Sequence, residues 1–206
     1  MILLLALTHQ QLADVYTPGL GRLLGPRLRG HPHLTVKAGW PWAADNDAYS
    51  AWNEDRYLRM LGAIAGLPGC LFVTAPDVVG DHHATLERFH RWQPIIRAHN
   101  LPVAFVAQDG VTPDTVPWAD LDAVFIGGTT EFKLGPDAAQ VARETKRRGV
   151  WLHVGRVNSL RRMRYCHQLG VDSIDGTNFA RWNDSKLDMG KRWRHAAITQ
   201  LHLELE

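Results

Sequence analysis

Each short apolar run in this chain stops on a small or polar cluster, and that repeated junction constrains the fold more than any single motif does. The runs span residues 2–7, 34–38, 71–75, 103–107, 123–126, 150–154 and 172–174. They are rich in Val, Ile, Leu and Phe and mostly lack alternation with polar residues, the pattern of strands buried on both faces of a parallel sheet. Helical stretches fall between them. Asn53 can cap a helix carrying Tyr57, Leu58, Leu61 and Ile64, and Asp81 a second with Leu86, Phe89, Trp92 and Ile96. Pro136 suits the first turn of a third, while Asn158 opens a fourth that Gly170 closes. Strands alternating with helices give right-handed βαβ units, hence either a doubly wound sheet or a (β/α) barrel.

The polar clusters choose between these. Asp77 follows the third run, Gln108-Asp109-Gly110 the fourth, Gly127-Gly128-Thr129 the fifth, Gly155-Arg156 the sixth and Asp175-Gly176-Thr177 the seventh. Parallel α/β folds gather their active sites at the C-terminal strand ends. Five clusters on one rim favour a compact (β/α)8-like TIM barrel, a single domain over residues 1–206. A typical barrel takes about 250 residues, so this one is expected to be pared down. Its eighth strand is sought near residues 179–182, or is irregular or missing.

Composition narrows the function. Apolar residues at 45% and charged residues at 21% describe a globular chain. Two cysteines, Cys70 and Cys166, suit a reducing compartment and are too few for a disulfide scaffold or a cysteine-rich zinc site. The run over 2–7 is too short to span a bilayer and lacks the flanks of a signal peptide, so a cytoplasmic protein without a membrane partner is expected. The net charge of +2 hides an asymmetry. Between Arg143 and Arg194, thirteen Lys or Arg stand against five Asp or Glu. Arg161, Arg162 and Arg164 fall near one helix start; Lys191, Arg192 and Arg194 surround Trp193. Such a stretch suits a phosphate backbone, and equally a solvated helix face.

Four carboxylates, Asp45, Asp77, Asp109 and Asp175, stand at expected strand ends. Any one of them can be a helix cap. Two carboxylates facing a sugar can divide the roles of nucleophile and acid/base, and an Asp with a Gln can read the edge of a purine-like base. Gly127-Gly128 lacks the spacing of a dinucleotide fingerprint and the lysine of a P-loop. It reads as a tight turn, an anion cradle, or a place where backbone approaches a flat ligand. His31-Pro-His33 and Asp81-His82-His83 lack the spacing of a zinc protease, and no metal is expected. Trp40, Trp42 and Trp52 flank Asp45 and can line a pocket for a planar base, or pack the core.

Taken in order, the strand-end clusters resemble a known superfamily. Asp45-Asn46-Asp47-Ala48-Tyr49, Ala75-Pro-Asp77, Val106-Ala-Gln108-Asp-Gly110, Phe125-Ile-Gly127-Gly128, Leu152-His-Val-Gly155-Arg156 and Gly170-Val-Asp-Ser-Ile-Asp175-Gly are similar to tRNA-guanine transglycosylase motifs. The stretches APDVVGD, FVAQDG, FIGGTTEFKLG and HVGRVNSLRR resemble the shorter branch in particular, the phage and bacterial 7-deazaguanine DNA transglycosylases. The resemblance covers about residues 40–182. It implies a (β/α) barrel that exchanges guanine in a polynucleotide for a free 7-deazaguanine base, without a cofactor. Asp175 would be the nucleophile and Asp45 the acid/base, while Asp77, Gln108 and the Gly127-Gly128 backbone would hold the base. Arg156, Arg161, Arg162, Lys191 and Arg192 are expected to meet nucleic-acid phosphates.

Two departures bear on that expectation. The tRNA enzymes carry Ser-Gly-Gly-Phe after the first catalytic Asp, where this chain has Asn46-Asp47-Ala48-Tyr49; Asp47 therefore competes for the acid/base role. Their zinc subdomain, built on three cysteines and a histidine, has no counterpart with Cys70 and Cys166 alone, which shifts the expected polymer from tRNA to DNA. The alternatives are a tRNA-guanine transglycosylase, a catalytically idle nucleic-acid-binding barrel, and a lyase or hydrolase binding a small phosphorylated metabolite at Gly127-Gly128.

Overall fold

The computed structural model describes residues 1–7, 11, 16–27, 39–180 and 184–203. Eight parallel strands form a closed barrel: β1 (Ile2–Leu5), β2 (Leu20–Leu24), β3 (Trp42–Ala44), β4 (Cys70–Thr74), β5 (Val103–Ala107), β6 (Ala123–Ile126), β7 (Trp151–Val154) and β8 (Ser173–Asp175). Each strand pairs with the next, and β8 closes on β1 through Leu3 opposite Ile174 and Leu4 opposite Asp175. The described helices are α1 (Ala48–Ala51), α2 (Glu54–Ile64), α3 (His82–Ala98), α4 (Thr130–Leu134), α5 (Pro136–Arg147), α6 (Leu160–Gln168), α7 (Thr177–Ala180) and α8 (Asp184–Leu203). The α/β barrel expected from the strand-end clusters is the observed fold. Among the described residues no helix is long and apolar enough to cross a membrane.

Strand alternation divides the apolar residues into two layers. Leu4, Leu23, Ala43, Phe72, Ala104, Val106, Ala123 and Phe125 fill the barrel interior. Leu3, Leu5, Leu20, Trp42, Val73, Phe105, Val124, Leu152 and Ile174 belong to the larger core between strands and helices. Asn53 and Asp81 cap α2 and α3, accepting from Arg56 N and Ala84 N. Pro136 opens α5, and α6 is capped by Ser159, one residue beyond the expected Asn158.

The second, third and eighth barrel strands lie elsewhere than the apolar runs suggest. The run over 34–38 lies outside the described residues. The second and third strands are instead 20–24 and 42–44, which Gly21 and Arg22, and the brevity of Trp42-Ala43-Ala44, keep from standing out as apolar runs. The eighth strand is therefore 173–175, already counted as the seventh run. Phe179 lies in α7 rather than a strand, and 182 lies outside the described residues. The barrel saves length where β5 reaches β6. That connection carries only a 3-10 turn at Pro113–Thr115, and Val111, Val116 and Leu121 are buried along it.

Candidate functional site

A cavity of about 260 Å³ opens at the C-terminal strand ends. Its walls include Asp45, Asp77, Gln108, Gly127, Gly128 and Asp175, together with Tyr49, Lys133 and Arg156. The proposed acid/base, nucleophile and base-holding residues are thus brought to one place from five different strand ends.

Asp45 follows β3 directly. Its Oδ1 accepts from the Asn46 backbone N–H at 2.8 Å, with Thr74 Oγ1 at 3.4 Å. Burial, reinforced by the negative charges of Asp175 and Asp77, pushes its carboxyl up to about 7. That value suits a group that gives and takes a proton near neutrality.

Asp77, after β4, accepts from Asn46 Nδ2 at 2.8 Å and Gln108 Nε2 at 2.5 Å. Burial raises its carboxyl and the two amides oppose that rise. Asn46 is tied down in turn, donating to Ala75 O at 2.8 Å and accepting from Ala48 N at 2.7 Å. Gln108 Oε1 accepts from Gly80 N at 2.9 Å. One Gln108 N–H is therefore spent on Asp77, and the pair presents itself to the cavity as a unit.

Asp175 closes β8. Its Oδ1 accepts from Arg156 N at 3.0 Å, and its Oδ2 lies 3.1 Å from His153 Nε2. The Arg156 backbone reaches it in a left-handed conformation, φ 58°. Lys133, on α4, donates to Gly155 O at 3.2 Å. Burial and the nearby Arg156 push its ammonium down to about 8, while Asp175 opposes that shift.

Arg156 also crosses the mouth. Its guanidinium lies 4.2 Å from the centre of the Tyr49 ring and donates to Gly128 O at 2.9 Å. Tyr49 follows β3 and Arg156 follows β7, on opposite sides of an eight-stranded ring, so this cation–π contact spans the opening.

Other expected residues take structural parts. Asp109 does not line the cavity; it accepts from Thr129 N at 2.9 Å and Thr129 Oγ1 at 2.6 Å, fixing the start of α4. The cap of α4 is Thr129 itself, whose hydroxyl accepts from Phe132 N, and Asp109 holds that cap in place. A Cβ on Gly127 would meet Val106 Cγ1 at 2.8 Å, and one on Gly128, at φ +73°, would meet Asp109 Oδ2 at 2.5 Å. Glycine is thus demanded by the turn itself. Asp47 lines the cavity but pairs with Arg27 at 3.1 Å. The tryptophans point elsewhere. Trp40 stacks on Tyr16, Trp42 donates to Pro68 O from the buried core, and Trp52 packs on Tyr57 and Trp92. Tyr49, 69% exposed, is the aromatic at the mouth.

The basic residues disperse. Arg162 lines a small recess shared with Lys133 and Arg156, and Arg161 is exposed on α6. Lys191 and Arg192 lie on α8, outside the cavity wall, between Gly190, which packs on Phe179, and Arg194, which donates to Met1 O at 2.8 Å. Part of the basic surplus is neutralised locally: Glu144 pairs with Arg147 and Arg148, and Asp172 with Lys146. Of the histidine motifs, His31 and His33 lie outside the described residues and Asp81 is a helix cap. Among the described residues no group of His, Cys, Asp or Glu is arranged to hold a metal ion.

No protein-family model and no curated protein sequence matches the chain. Solved structures do. A structure solved as native KDPGal is 13% identical, with a TM-score of 0.59 over 97% of this chain and 95% of that one. A cube-shaped porous cage, designed by fusing symmetric oligomeric domains, is 12% identical, with a TM-score of 0.59 over 99% and 74%. A chain of the Amycolatopsis orientalis BexX/CysO complex is 19% identical, with a TM-score of 0.52 over 78% and 67%. At these identities the likeness is one of fold.

Three residues of the site, Asn46, Lys133 and His153, lie inside the quoted motifs yet carry no role in the reading of them. His153 had a signal. It is a polar residue in the middle of an otherwise apolar strand, two positions from the strand-end glycine.

Proposed function

We propose that this protein is a DNA guanine transglycosylase, exchanging guanine for a 7-deazaguanine base such as 7-cyano-7-deazaguanine through a covalent Asp175–sugar intermediate. The observation that carries the reading is the pair Asp45 and Asp175 lining one cavity, the first with its carboxyl near 7 and the second held by the Arg156 N–H and in contact with His153 Nε2. The ordered motifs supply the substrate class; the barrel alone would serve many enzymes.

In the first half-reaction an Asp175 oxygen bonds to the anomeric carbon as the glycosidic bond breaks. The bonding pair leaves with guanine, which takes the Asp45 proton. Carboxylates around the sugar stabilise the oxocarbenium-like transition state. In the second half-reaction Asp45 takes a proton from the incoming base, whose nitrogen bonds to the anomeric carbon while the ester pair returns to Asp175. Asp77 with Gln108 matches a base edge that offers N–H donors and a carbonyl. A base in duplex DNA must first leave the stack, and Arg156 and Arg162 beside the cavity suit the phosphates of the strand that carries it.

The test is incorporation of labelled guanine into DNA and, in parallel, into tRNA. The wild type is expected to label DNA, and Asp175→Ala to label neither while retaining its fold. Undiminished exchange by Asp175→Ala refutes the mechanism. Labelling of tRNA alone moves the activity to the other polymer, and binding without exchange by the wild type leaves an idle nucleic-acid-binding barrel.

A further inference from the structure

We propose that His153 is a positioning residue for Asp175, gripping the carboxylate from inside the barrel through a relay that starts at Trp151 and passes through Ser173. The proposal rests on Asp175 being the nucleophile of the reaction above.

His153 is 0% exposed and sits on β7, with Phe125 of β6 on one side and Ser173 of β8 on the other. Its ring centre is 4.5 Å from that of Phe125 and 5.1 Å from that of Phe72. An imidazole among aromatic rings is costly unless both nitrogens find partners. Both do. Nδ1 lies 2.9 Å from Ser173 Oγ, and Nε2 lies 3.1 Å from Asp175 Oδ2.

The direction of the relay follows from counting protons. Trp151 Nε1 can only donate, and it lies 3.0 Å from Ser173 Oγ, so that oxygen accepts there. We assign the serine's own proton to His153 Nδ1, which lies 2.9 Å from the same oxygen. An imidazole accepting at Nδ1 carries its proton on Nε2, and Asp175 Oδ2 is the acceptor that proton meets. Every donor in Trp151–Ser173–His153–Asp175 has one acceptor. The surrounding rings exclude competing water, which strengthens such a chain.

Asp175 is thereby held at both oxygens, by the His153 ring at Oδ2 and the Arg156 backbone N–H at Oδ1. The charged groups that face it are Lys133 from α4 and Asp45 from β3. A nucleophile held at both oxygens keeps its attack geometry through both half-reactions.

Two measurements test the assignment. The first needs no activity: nitrogen-15 NMR of histidine-labelled protein, assigned with His153→Gln. His153 is expected as the Nε2–H tautomer, with Asp175→Ala shifting the Nε2–H signal and Ser173→Ala shifting Nδ1. An Nδ1–H tautomer in the wild type overturns the relay. The second is single-turnover adduct formation on guanine-containing DNA. His153→Leu should slow it roughly tenfold to a hundredfold, the effect of one hydrogen bond to a charged group. KM for the free base should stay within about twofold. His153→Gln, whose amide N–H can stand where Nε2–H stands, should recover most of the rate, and Ser173→Ala should fall between. A change in KM alone, or equal losses in the Leu and Gln variants, overturns the positioning role. If the wild type shows the Nε2–H tautomer yet forms no adduct, the transglycosylase reading fails and His153's part in it fails with it, while the relay itself stands.

Discussion

Replacing Asp45 with Asn removes a carboxyl that the fold keeps from ionising. Burial and two neighbouring carboxylates raise it from 3.8 to about 7. Below pH 3.8 the group is protonated in both folded and unfolded chains, and the stability it contributes is fully present. Between 3.8 and 7 the unfolded chain ionises freely while the folded one resists, so that stability is lost as pH rises. The displacement of roughly three pH units corresponds to a ceiling of about 4 kcal/mol. Asp45 opens into the cavity, where water screens its charge, so about 1–3 kcal/mol is the expected size. Asn cannot ionise. Asp45→Asn should therefore match the wild type near pH 4 and exceed it at pH 8, by roughly 3–10 °C in Tm for a chain of this length. The variant should also lose exchange, becoming more stable and inactive together. Thermal unfolding at half-unit steps from pH 4 to 8.5, with parallel exchange assays, measures both. Equal or lower stability at pH 8, or a difference that ignores pH, refutes the argument.

Other predictions rest on single contacts. His82 is 2% exposed, neither ring nitrogen has a hydrogen-bond partner among the described residues, and burial lowers its pKa. Its neutral form is the one the fold accepts, so stability falls as pH drops through about 6.5. His82→Leu should flatten that decline in a melting series from pH 7.5 to 5, and an unchanged slope would exclude His82 as its source. Gly128→Ala should destabilise by about 2–4 kcal/mol in urea unfolding, because φ +73° and Asp109 leave no room for a Cβ. Gly62→Ala, on open helix α2, should instead stabilise by about 0.5–1 kcal/mol; equal effects would show that crowding at Gly128 is relieved. Arg156→Ala with Arg162→Ala should lower the slope of log affinity for DNA against log salt by about two, and an unaltered slope would remove both from the interface.

The later half of the barrel is legible in the sequence because its strands are uninterrupted apolar runs, as in Val103–Ala107 and Ala123–Ile126. In the early half β1 and β4 are legible in the same way, and β2 and β3 are not. Gly21 and Arg22 interrupt β2, and β3 is three residues long with two alanines, which carry little strand preference. Asp45 was findable nonetheless, through the motif around it rather than through its strand. Asp77 and Asp109 look alike as strand-end carboxylates. Only the third dimension separates them: two amides turn Asp77 to the cavity, while Thr129 takes both oxygens of Asp109. The tryptophans near Asp45 pack the core, the second of their two readings, for a related reason. Proximity in sequence says nothing about which face of β3 a ring occupies, and Trp42 lies on the outer one.

Arg156 is two instruments in one residue. Its left-handed backbone turns an N–H onto Asp175, and its guanidinium reaches across to Tyr49. The two are chemically separable, because glycine alone keeps that backbone conformation freely while discarding the side chain. Arg156→Gly should leave the carboxylate's donor in place and open the mouth; Arg156→Ala would keep a conformational penalty as well. A substitution usually thought of as severe is here the cleaner dissection, dividing what steadies the reacting atom from what guards the way in.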